Sequence, residues 1–293
     1  GTPLSDLGSK VSEPEKARAM TVVVTGASTG IGAELTRSLA AAGHRVFVCA
    51  RRADKLAQVT DEGRLATPFV CDVSSEAAVA EFALLVSESA GKVDALVNCA
   101  GAFGAIGTVE EVNSRDWLRT LHVNLYGTFL ACQAFVPMMR RAGGGRIVNF
   151  SGGGAFSPLP RYSAYAVSKA GVVRLTETMA VELAPAGIWV NAVGVGFVVT
   201  DIHKATLEAG PERSGADFYR MTLEKMASGS IPIELPVRLV HYLLSPQAAG
   251  LTGKTISSGY DPWNTPEFSA SIESLNQSDL YTMQRINLRH LKK

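Results

Sequence analysis

A tyrosine and a lysine stand four residues apart in the stretch YSAYAVSKAG, at Tyr165 and Lys169. On a helix this spacing puts both side chains on one face, one turn apart. A phenol keeps its proton at neutral pH, and a neighbouring ammonium favours the phenolate and so lowers the phenol pKa. Such a pair is suited to proton transfer, as acid in one direction and base in the other. The alternative is a core tyrosine with a surface lysine behind it.

The elements that must position this pair follow a regular rhythm. Short β-branched runs alternate with segments such as IGAELTRSLAAAG, whose apolar residues recur at helical spacing. The predicted strands are TVVVTG (21–26), RVFVCA (45–50), ATPFVCD (66–72), DALVNCAG (94–101), RIVNFS (146–151), IWVNAVG (188–194) and KTISSG (254–259). This alternation predicts an α/β fold, a Rossmann-like doubly wound parallel sheet of about seven strands with helices on both faces.

A glycine-rich turn, TGASTGIG, follows the first predicted strand and opens a helix. Gly26, Gly30 and Gly32 permit a tight turn and the close approach of backbone to a pyrophosphate at the helix N-terminus. Ser28 and Thr29 add hydroxyl groups beside it. Glycine turns also simply connect strands to helices, but the strand–turn–helix context favours a dinucleotide site.

The end of the second predicted strand indicates which dinucleotide. NAD-binding folds place an acidic residue there for the ribose 2′-hydroxyl. This chain has Ala50 instead, followed by Arg51 and Arg52. An arginine fork pairs well with the oxygens of a 2′-phosphate. The sequence therefore favours NADP(H) over NAD(H), the alternative being two solvated surface arginines.

Five ordered motifs resemble those of the short-chain dehydrogenase/reductase family over about residues 20–260. Besides the glycine turn, which includes Ile31, and the Tyr165–Lys169 pair, three further stretches carry the resemblance. They are Asp72-Val73 in FVCDVS, NCAG with Asn98, Ala100 and Gly101, and NAVGVGFVVTDI with Gly196, Val198 and Thr200. Asn124 in HVNLYGTF matches a further position of the family. The resemblance implies that all these residues bind cofactor or take part in catalysis.

Particular roles follow from the resemblance alone. Asp72 and Val73 are expected at the adenine, and Gly196, Val198 and Thr200 at the nicotinamide carboxamide. Lys169 is expected to bind the nicotinamide ribose as well as to lower the pKa of the catalytic tyrosine. For Asn124 the family implies a helix position that holds a water in the proton relay.

Two positions depart from the family pattern. Val195 stands where the family usually has proline. More important, Gly152 occupies the position of the catalytic serine, thirteen residues before the tyrosine, and the nearest hydroxyl is Ser151. Ser151 could serve in its place if the strand ends at or before it, because the glycines 152–154 make a shift of the loop inexpensive. Ser157, Ser163 or a residue of the C-terminal segment are the other candidates.

The predicted function is NADP(H)-dependent interconversion of a ketone and a secondary alcohol, with Tyr165, Lys169, Asn124 and Ser151 as catalytic residues. Two alternatives remain: a nucleotide-binding protein with impaired catalysis, and an epimerase or dehydratase that uses transient oxidation. The substrate class is open, because the charges of residues 201–236 are balanced. Phe156, Leu159, Phe197, Phe218 and Tyr219 offer apolar surface for it.

One catalytic domain is predicted over residues 20–260, with a substrate lid at 201–236 and a separate C-terminal extension at 261–293. Residues 1–19 are expected to be a disordered leader or an expression remnant. The extension is expected to wrap its own or a partner subunit near the substrate mouth. By resemblance, the two long helices at about 115–140 and 163–184 are expected to form a homodimer or homotetramer.

Composition limits the remaining possibilities. A net charge of +1 provides no electrostatic footprint for nucleic acid or an anionic membrane. The four cysteines fit neither a disulfide framework nor a metal site, so buried thiols in a cytoplasmic protein are expected. The predicted partner is a small carbonyl or alcohol substrate.

Overall fold

The computed structural model describes residues 19–61 and 66–284. Of the leader predicted over 1–19, all but the last residue lies outside the described residues.

The described strands are β1 (Thr21–Thr25), β2 (Arg45–Ala50), β3 (Ala66–Val70), β4 (Ala95–Asn98), β5 (Gly145–Phe150), β6 (Ile188–Gly194) and β7 (Thr255–Ser257). They form one parallel sheet in the order β3–β2–β1–β4–β5–β6–β7. This architecture confirms the predicted Rossmann-like, doubly wound fold.

The helices that cover the sheet are α1 (Gly30–Ala41), α2 (Ala53–Asp61), α3 (Glu76–Ala90), α4 (Ser114–Leu121), α5 (Gly127–Arg141), α6 (Ser163–Leu183), α7 (Lys204–Ser214), α8 (Ala216–Ser228), α9 (Glu234–Leu244), α10 (Pro266–Ala270) and α11 (Ile272–Asn276). Within the described ranges, none is both long and apolar enough to cross a membrane.

Both faces of the sheet are buried, because successive side chains of a strand point to opposite sides. Val22 and Val24 of β1 belong to one apolar core, with α1, α2 and α9. Val23 belongs to the other core, with α3, α5 and α6. Apolar residues at nearly every strand position are therefore required, as in other parallel sheets.

The chain starts in the middle of the sheet and leaves it in both directions. From β1 it proceeds outward to β3, and then returns to β4, which pairs with the other side of β1. The connections after β1 and β4 therefore diverge at their carboxyl ends and leave a crevice between them. Open α/β sheets bind their ligands at such a switch point.

The segment predicted as a lid is helical. A 3₁₀ turn (Asp201–His203) leads into α7, and α8 follows directly. Gly210 interrupts the helical backbone of α7 with φ 72°, immediately before Pro211. The segment contains no strand, as the sequence predicts, but its helical periodicity is hidden by this kink and by its polar composition.

The C-terminal segment differs from the separate extension predicted over 261–293. Trp263 is 4 % exposed and joins the core around α9, and its ring centre lies 5.9 Å from that of Tyr242. Further along, the Thr255 N–H of β7 donates to the carbonyl of Tyr281 at 2.8 Å. Up to residue 284 this segment is thus part of the domain, because its apolar residues complete a core that α9 alone leaves open. Residues 285–293 lie outside the described part.

Candidate active site

A cavity of about 660 Å³ lies at the carboxyl ends of β1 and β4, where the topology places a ligand site. Most of the residues predicted from the sequence line it. These are Gly26, Ser28, Thr29, Gly30, Ile31, Gly32, Arg51, Arg52, Asp72, Val73, Ala100, Gly101, Ser151, Tyr165, Lys169, Gly196, Val198 and Thr200. Asn98 and Asn124 do not line it.

The glycine turn has the geometry that a close-lying phosphate requires. Gly26 has φ +73°, and a Cβ there would lie 2.5 Å from the Cα of Ala100. A Cβ on Gly32 would lie 2.3 Å from the carbonyl oxygen of Gly26. Neither position can hold a side chain, because the turn packs directly against the backbone after β4 and against itself. Because α1 begins at Gly30, its free N–H groups point into the cavity.

Arg52 is anchored to this turn. Its Nη2 donates to Thr29 Oγ1 at 2.8 Å and to Ser28 Oγ at 3.2 Å. The guanidinium also lies 3.8 Å from Asp201 Oδ2, at the start of the lid. Arg52 is therefore a positive group at the mouth of the cavity, beside Ala50, where NAD-specific folds have an acid.

Asp72 follows β3 at the same end of the cavity. Its Oδ1 accepts from the hydroxyl of Ser74 at 2.7 Å and from the Ser74 N–H at 3.0 Å. Burial opposes ionisation, but these bonds, with Arg51 and Arg119 nearby, leave the pKa of Asp72 below its ordinary value. A carboxylate fixed in this way can accept a hydrogen bond from a ligand in the cavity.

Tyr165 and Lys169 lie on α6 with their side chains in the cavity. Lys169 Nζ donates to the carbonyl of Phe150 at 2.8 Å and lies 5.7 Å from the centre of the Tyr165 ring. Burial lowers the pKa of Lys169 to about 8. Burial also raises the pKa of Tyr165 above its ordinary value. The cost of placing a phenolate in an apolar site therefore sets the direction of the shift, opposite to the lowering expected from Lys169.

Gly152 lies directly against the phenol. A Cβ on Gly152 would be 2.2 Å from the Tyr165 hydroxyl oxygen, so no side chain fits there in this arrangement. Strand β5 ends at Phe150, one residue before Ser151. Ser151 is buried and lines the cavity, which meets the condition set for its recruitment. Of the other candidates, Ser163 accepts a hydrogen bond from Trp117 Nε1 at 3.1 Å.

Asn124 acts behind the cavity wall, in a π-helical turn (His122–Tyr126) between α4 and α5. Its Oδ1 accepts from the Ala102 N–H, and its Nδ2 donates to the Ala102 carbonyl and to Ser168 Oγ, all at 2.9 Å. A Cβ on Gly101 would lie 3.4 Å from this Oδ1 and 3.5 Å from Lys169 Nζ. The amide thus holds the loop after β4 against α6, close to the lysine.

Asn98 is placed below the cavity rather than in it. Its Nδ2 donates to Asn149 Oδ1 at 2.9 Å and reaches Cys132 Sγ at 3.4 Å. The side chain is buried between β5 and α5, so any contact with a cofactor falls to the backbone that follows it. Ala100 and Gly101, two and three residues on, line the cavity.

The segment after β6 forms the wall opposite the glycine turn. Gly196 has φ +64°, Val198 is buried, and Thr200 caps the 3₁₀ turn that follows. A Cβ on Gly30 would lie 3.2 Å from the Thr200 side chain, so the two walls meet there. At the mouth, a Cβ on Gly196 would lie 3.7 Å from the ring of Tyr260, which is 80 % exposed.

Sequence reasoning missed part of the lining. Of the apolar candidates, Leu159, Phe197 and Phe218 line the cavity, and Phe156 and Tyr219 do not. Phe103 and His203 also line it. The position of Phe103, two residues after the NCAG motif, could have identified it as a lining residue. No sequence pattern identified His203, because it stands in a charged segment.

The comparisons with known proteins agree with this geometry. Residues 20–210 match the family model described as short chain dehydrogenase, which covers more than half of the chain. The chain belongs to the short-chain dehydrogenase family. The resemblance read from the motifs is thereby confirmed.

Several relatives of this chain are named as reductases or dehydrogenases. A D-threitol dehydrogenase of Mycolicibacterium smegmatis is 39% identical over 62% of this chain and 72% of its own length. A putative ketoacyl reductase of Streptomyces coelicolor is 34% identical over 80% of this chain and 94% of its own. A solved structure of an actinorhodin polyketide ketoreductase variant with NADPH superposes with a TM-score of 0.75, at 33% identity over 82% and 95% of the two chains. The protein is therefore an oxidoreductase of this family.

Proposed function

We propose that this protein is an NADP(H)-dependent oxidoreductase that interconverts a ketone and a secondary alcohol, with Tyr165 as the acid and base. One observation carries the proposal: the glycine turn, Arg52 and Tyr165 line a single cavity. A cofactor bound at the turn would thus reach the phenol without leaving the crevice.

The residues present fit a dinucleotide phosphate. Gly26 and Gly32 permit the tight turn that leads into α1, and this turn and the first residues of α1 line the cavity where a pyrophosphate would lie. Arg52, anchored on Ser28 and Thr29, supplies a fork for a 2′-phosphate. The solved ketoreductase that contains NADPH is a further reason to favour this cofactor over NAD(H). When bound, the cofactor supplies or accepts the hydride.

The chain's own residues would handle the proton. The phenol of Tyr165 donates its proton to the substrate oxygen in the reductive direction and takes it back in the other. Lys169, held by the Phe150 carbonyl, supports the phenolate and would bind the nicotinamide ribose, while Asn124 fixes the backbone beside it. Ser151 would donate a second hydrogen bond to the substrate oxygen, which in such sites is worth about 10²–10³ in rate.

A homo-oligomer is the proposed assembly. On α5 and α6 the side chains of Phe129, Val167 and Val181 are 40 %, 48 % and 78 % exposed. We expect a second copy to pack where these two long helices leave apolar side chains exposed. Light scattering of the purified protein tests this, and a monomer at every concentration would contradict it.

Turnover with purified components tests the activity. The protein is mixed with NADPH or NADH and a panel of ketones, and the loss of nicotinamide absorbance is followed. We expect NADPH-dependent reduction that Tyr165→Phe abolishes. Tyr242→Phe is the matched control, because it removes one buried tyrosine hydroxyl, bonded to Ser269, on the other side of the sheet. Binding of NADPH without turnover of any ketone would contradict the proposal.

A further inference from the structure

Aromatic rings surround Tyr165 on the lid side of the cavity. We call this set the aromatic compartment: Phe103, Tyr165, Phe197, His203 and Phe218, all of which line the cavity. The ring of Phe103 is at its centre, 4.8 Å from the Tyr165 ring at 80° and 6.3 Å from the Phe218 ring at 75°. Edge-to-face rings at these distances form a stable apolar frame.

Of the five residues in this compartment, two carry a polar group: Tyr165 and His203. His203 is 6 % exposed, and its ring lies 5.5 Å from Phe103 and 4.3 Å from Phe197. Phe103 thus touches both His203 and the catalytic phenol. A polar group held so close to the reacting position, inside an apolar frame, is a feature of ligand sites.

The capping contact at the start of the lid indicates which imidazole nitrogen of His203 is already engaged. Thr200 and His203 form a capping box, in which the Thr200 N–H donates to His203 Nδ1 at 3.5 Å. In a neutral imidazole that accepts at Nδ1, the proton is on Nε2. Burial lowers the pKa of His203, which keeps the ring neutral at pH 7.

The Nε2 group has no partner of its own. Among the described residues, none accepts a hydrogen bond from it, and it is not one of their fully buried unpartnered atoms. Because His203 lines the cavity, this N–H is accessible from within it. The compartment therefore offers a fixed donor that the Tyr165 chemistry does not use.

We propose that His203 binds the substrate, donating from Nε2 to a second oxygen of a neutral cyclic ketone whose carbonyl lies against Tyr165. The surrounding rings favour a flat, uncharged molecule, since flat rings stack against aromatic faces and edges. The second oxygen is required because a buried donor without an acceptor costs binding energy. This inference rests on the proposed function and specifies the substrate class of the same site.

The test compares α-tetralone with its isomers that carry one methoxy group on the aromatic ring, each reduced with NADPH. We expect at least one isomer to exceed α-tetralone in kcat/KM by roughly 10-fold, the size of one hydrogen bond. The His203→Phe variant keeps a ring between Phe103 and Phe197. In this variant kcat/KM for the preferred methoxy isomer should fall to about that for α-tetralone, because KM for the methoxy compound rises. His203→Gln, which keeps an amide donor, should retain part of the preference.

The affinity for NADPH, followed by nicotinamide fluorescence, should be the same in both variants and shows that they are folded. A His203→Phe enzyme that keeps the preference overturns the inference, as does a wild-type enzyme that reduces α-tetralone with no preference at all. Both results leave the proposed function intact. If none of the ketones tested is reduced although NADPH binds, both the proposed function and this inference are overturned.

Discussion

The hydroxyl of Tyr165 occupies the space into which a side chain at Gly152 would extend, since a Cβ there would lie 2.2 Å from the phenol oxygen. Glycine at this position is thus matched to the place of the phenol in this chain. The family's serine cannot simply be restored by substitution.

Gly152→Ser and Gly152→Ala should both reduce turnover, because the new Cβ must displace the phenol. A misplacement of about 1 Å can cost roughly 10²-fold in rate. Gly153→Ala is the control: a Cβ at Gly153 meets no atom within 4 Å, so turnover should fall far less. Steady-state kinetics with one ketone decides, and a Gly152→Ser enzyme faster than the wild type would refute the expectation.

We expect the buried Lys169 to lower the free energy of unfolding although turnover requires it. Its pKa falls from 10.5 to about 8 on folding, so the unfolded chain binds more protons between these values. The penalty is complete below pH 8 and is relieved as the pH rises toward 10.5. Lys169→Met should therefore raise the free energy of unfolding at pH 7 by about 1–2 kcal/mol, after the loss of the bond to Phe150, and abolish turnover.

Urea unfolding at a series of pH values checks this prediction. The wild type should gain stability between pH 8 and 10.5 relative to the variant. An equal pH dependence of the two proteins would show that Lys169 is not the titrating group.

Arg52 should discriminate between the two nicotinamide dinucleotides. Arg52→Ala should raise the Kd for NADPH about 10-fold to 10²-fold, the range for a hydrogen bond to a charged group, and change the Kd for NADH much less. Lys55→Ala is the matched control, because Lys55 shares the contact with Asp201 (3.7 Å) but is not bonded to Ser28 or Thr29. Equal losses for both cofactors would argue against a 2′-phosphate site.

Two aromatic residues that follow β7, Trp263 and Tyr260, should respond to truncation in opposite ways. Trp263→Ala should lower the free energy of unfolding by about 3–5 kcal/mol, because the ring is buried and its Nε1 donates to the Ser258 carbonyl. Tyr260→Ala should leave stability unchanged and alter KM, because Tyr260 is exposed beside Gly196 at the mouth. Thermal melts and kinetics separate the two, and a stable Trp263→Ala protein would contradict the packing described.

The sheet could be predicted closely from the sequence. The segments expected at 45–50 and 188–194 coincide with β2 and β6. Their signal is local, because a strand buried on both faces needs apolar, β-branched residues at almost every position. The glycine turn and the Tyr165–Lys169 pair were equally visible, since each depends on spacing within one element.

What the sequence could not provide depends on contacts between distant segments. The meeting of Gly152 with Tyr165 requires the end of β5 to approach α6, and no local pattern encodes that distance. His203 and Phe103 become neighbours only when the lid folds over the loop after β4. Likewise, the local sequence places Trp263 in a polar tail, and its burial depends on packing against α9.

The bond from Thr255 to the Tyr281 carbonyl has a consequence for colloidal behaviour. Exposed sheet edges invite strand addition from other chains, which is a route to fibrils. At the β7 edge the N–H of Thr255 is already bonded to the carbonyl of Tyr281. At the β3 edge Pro68 has no N–H to donate. Neither edge strand, β3 or β7, should therefore be an efficient template for strand addition by partly unfolded chains.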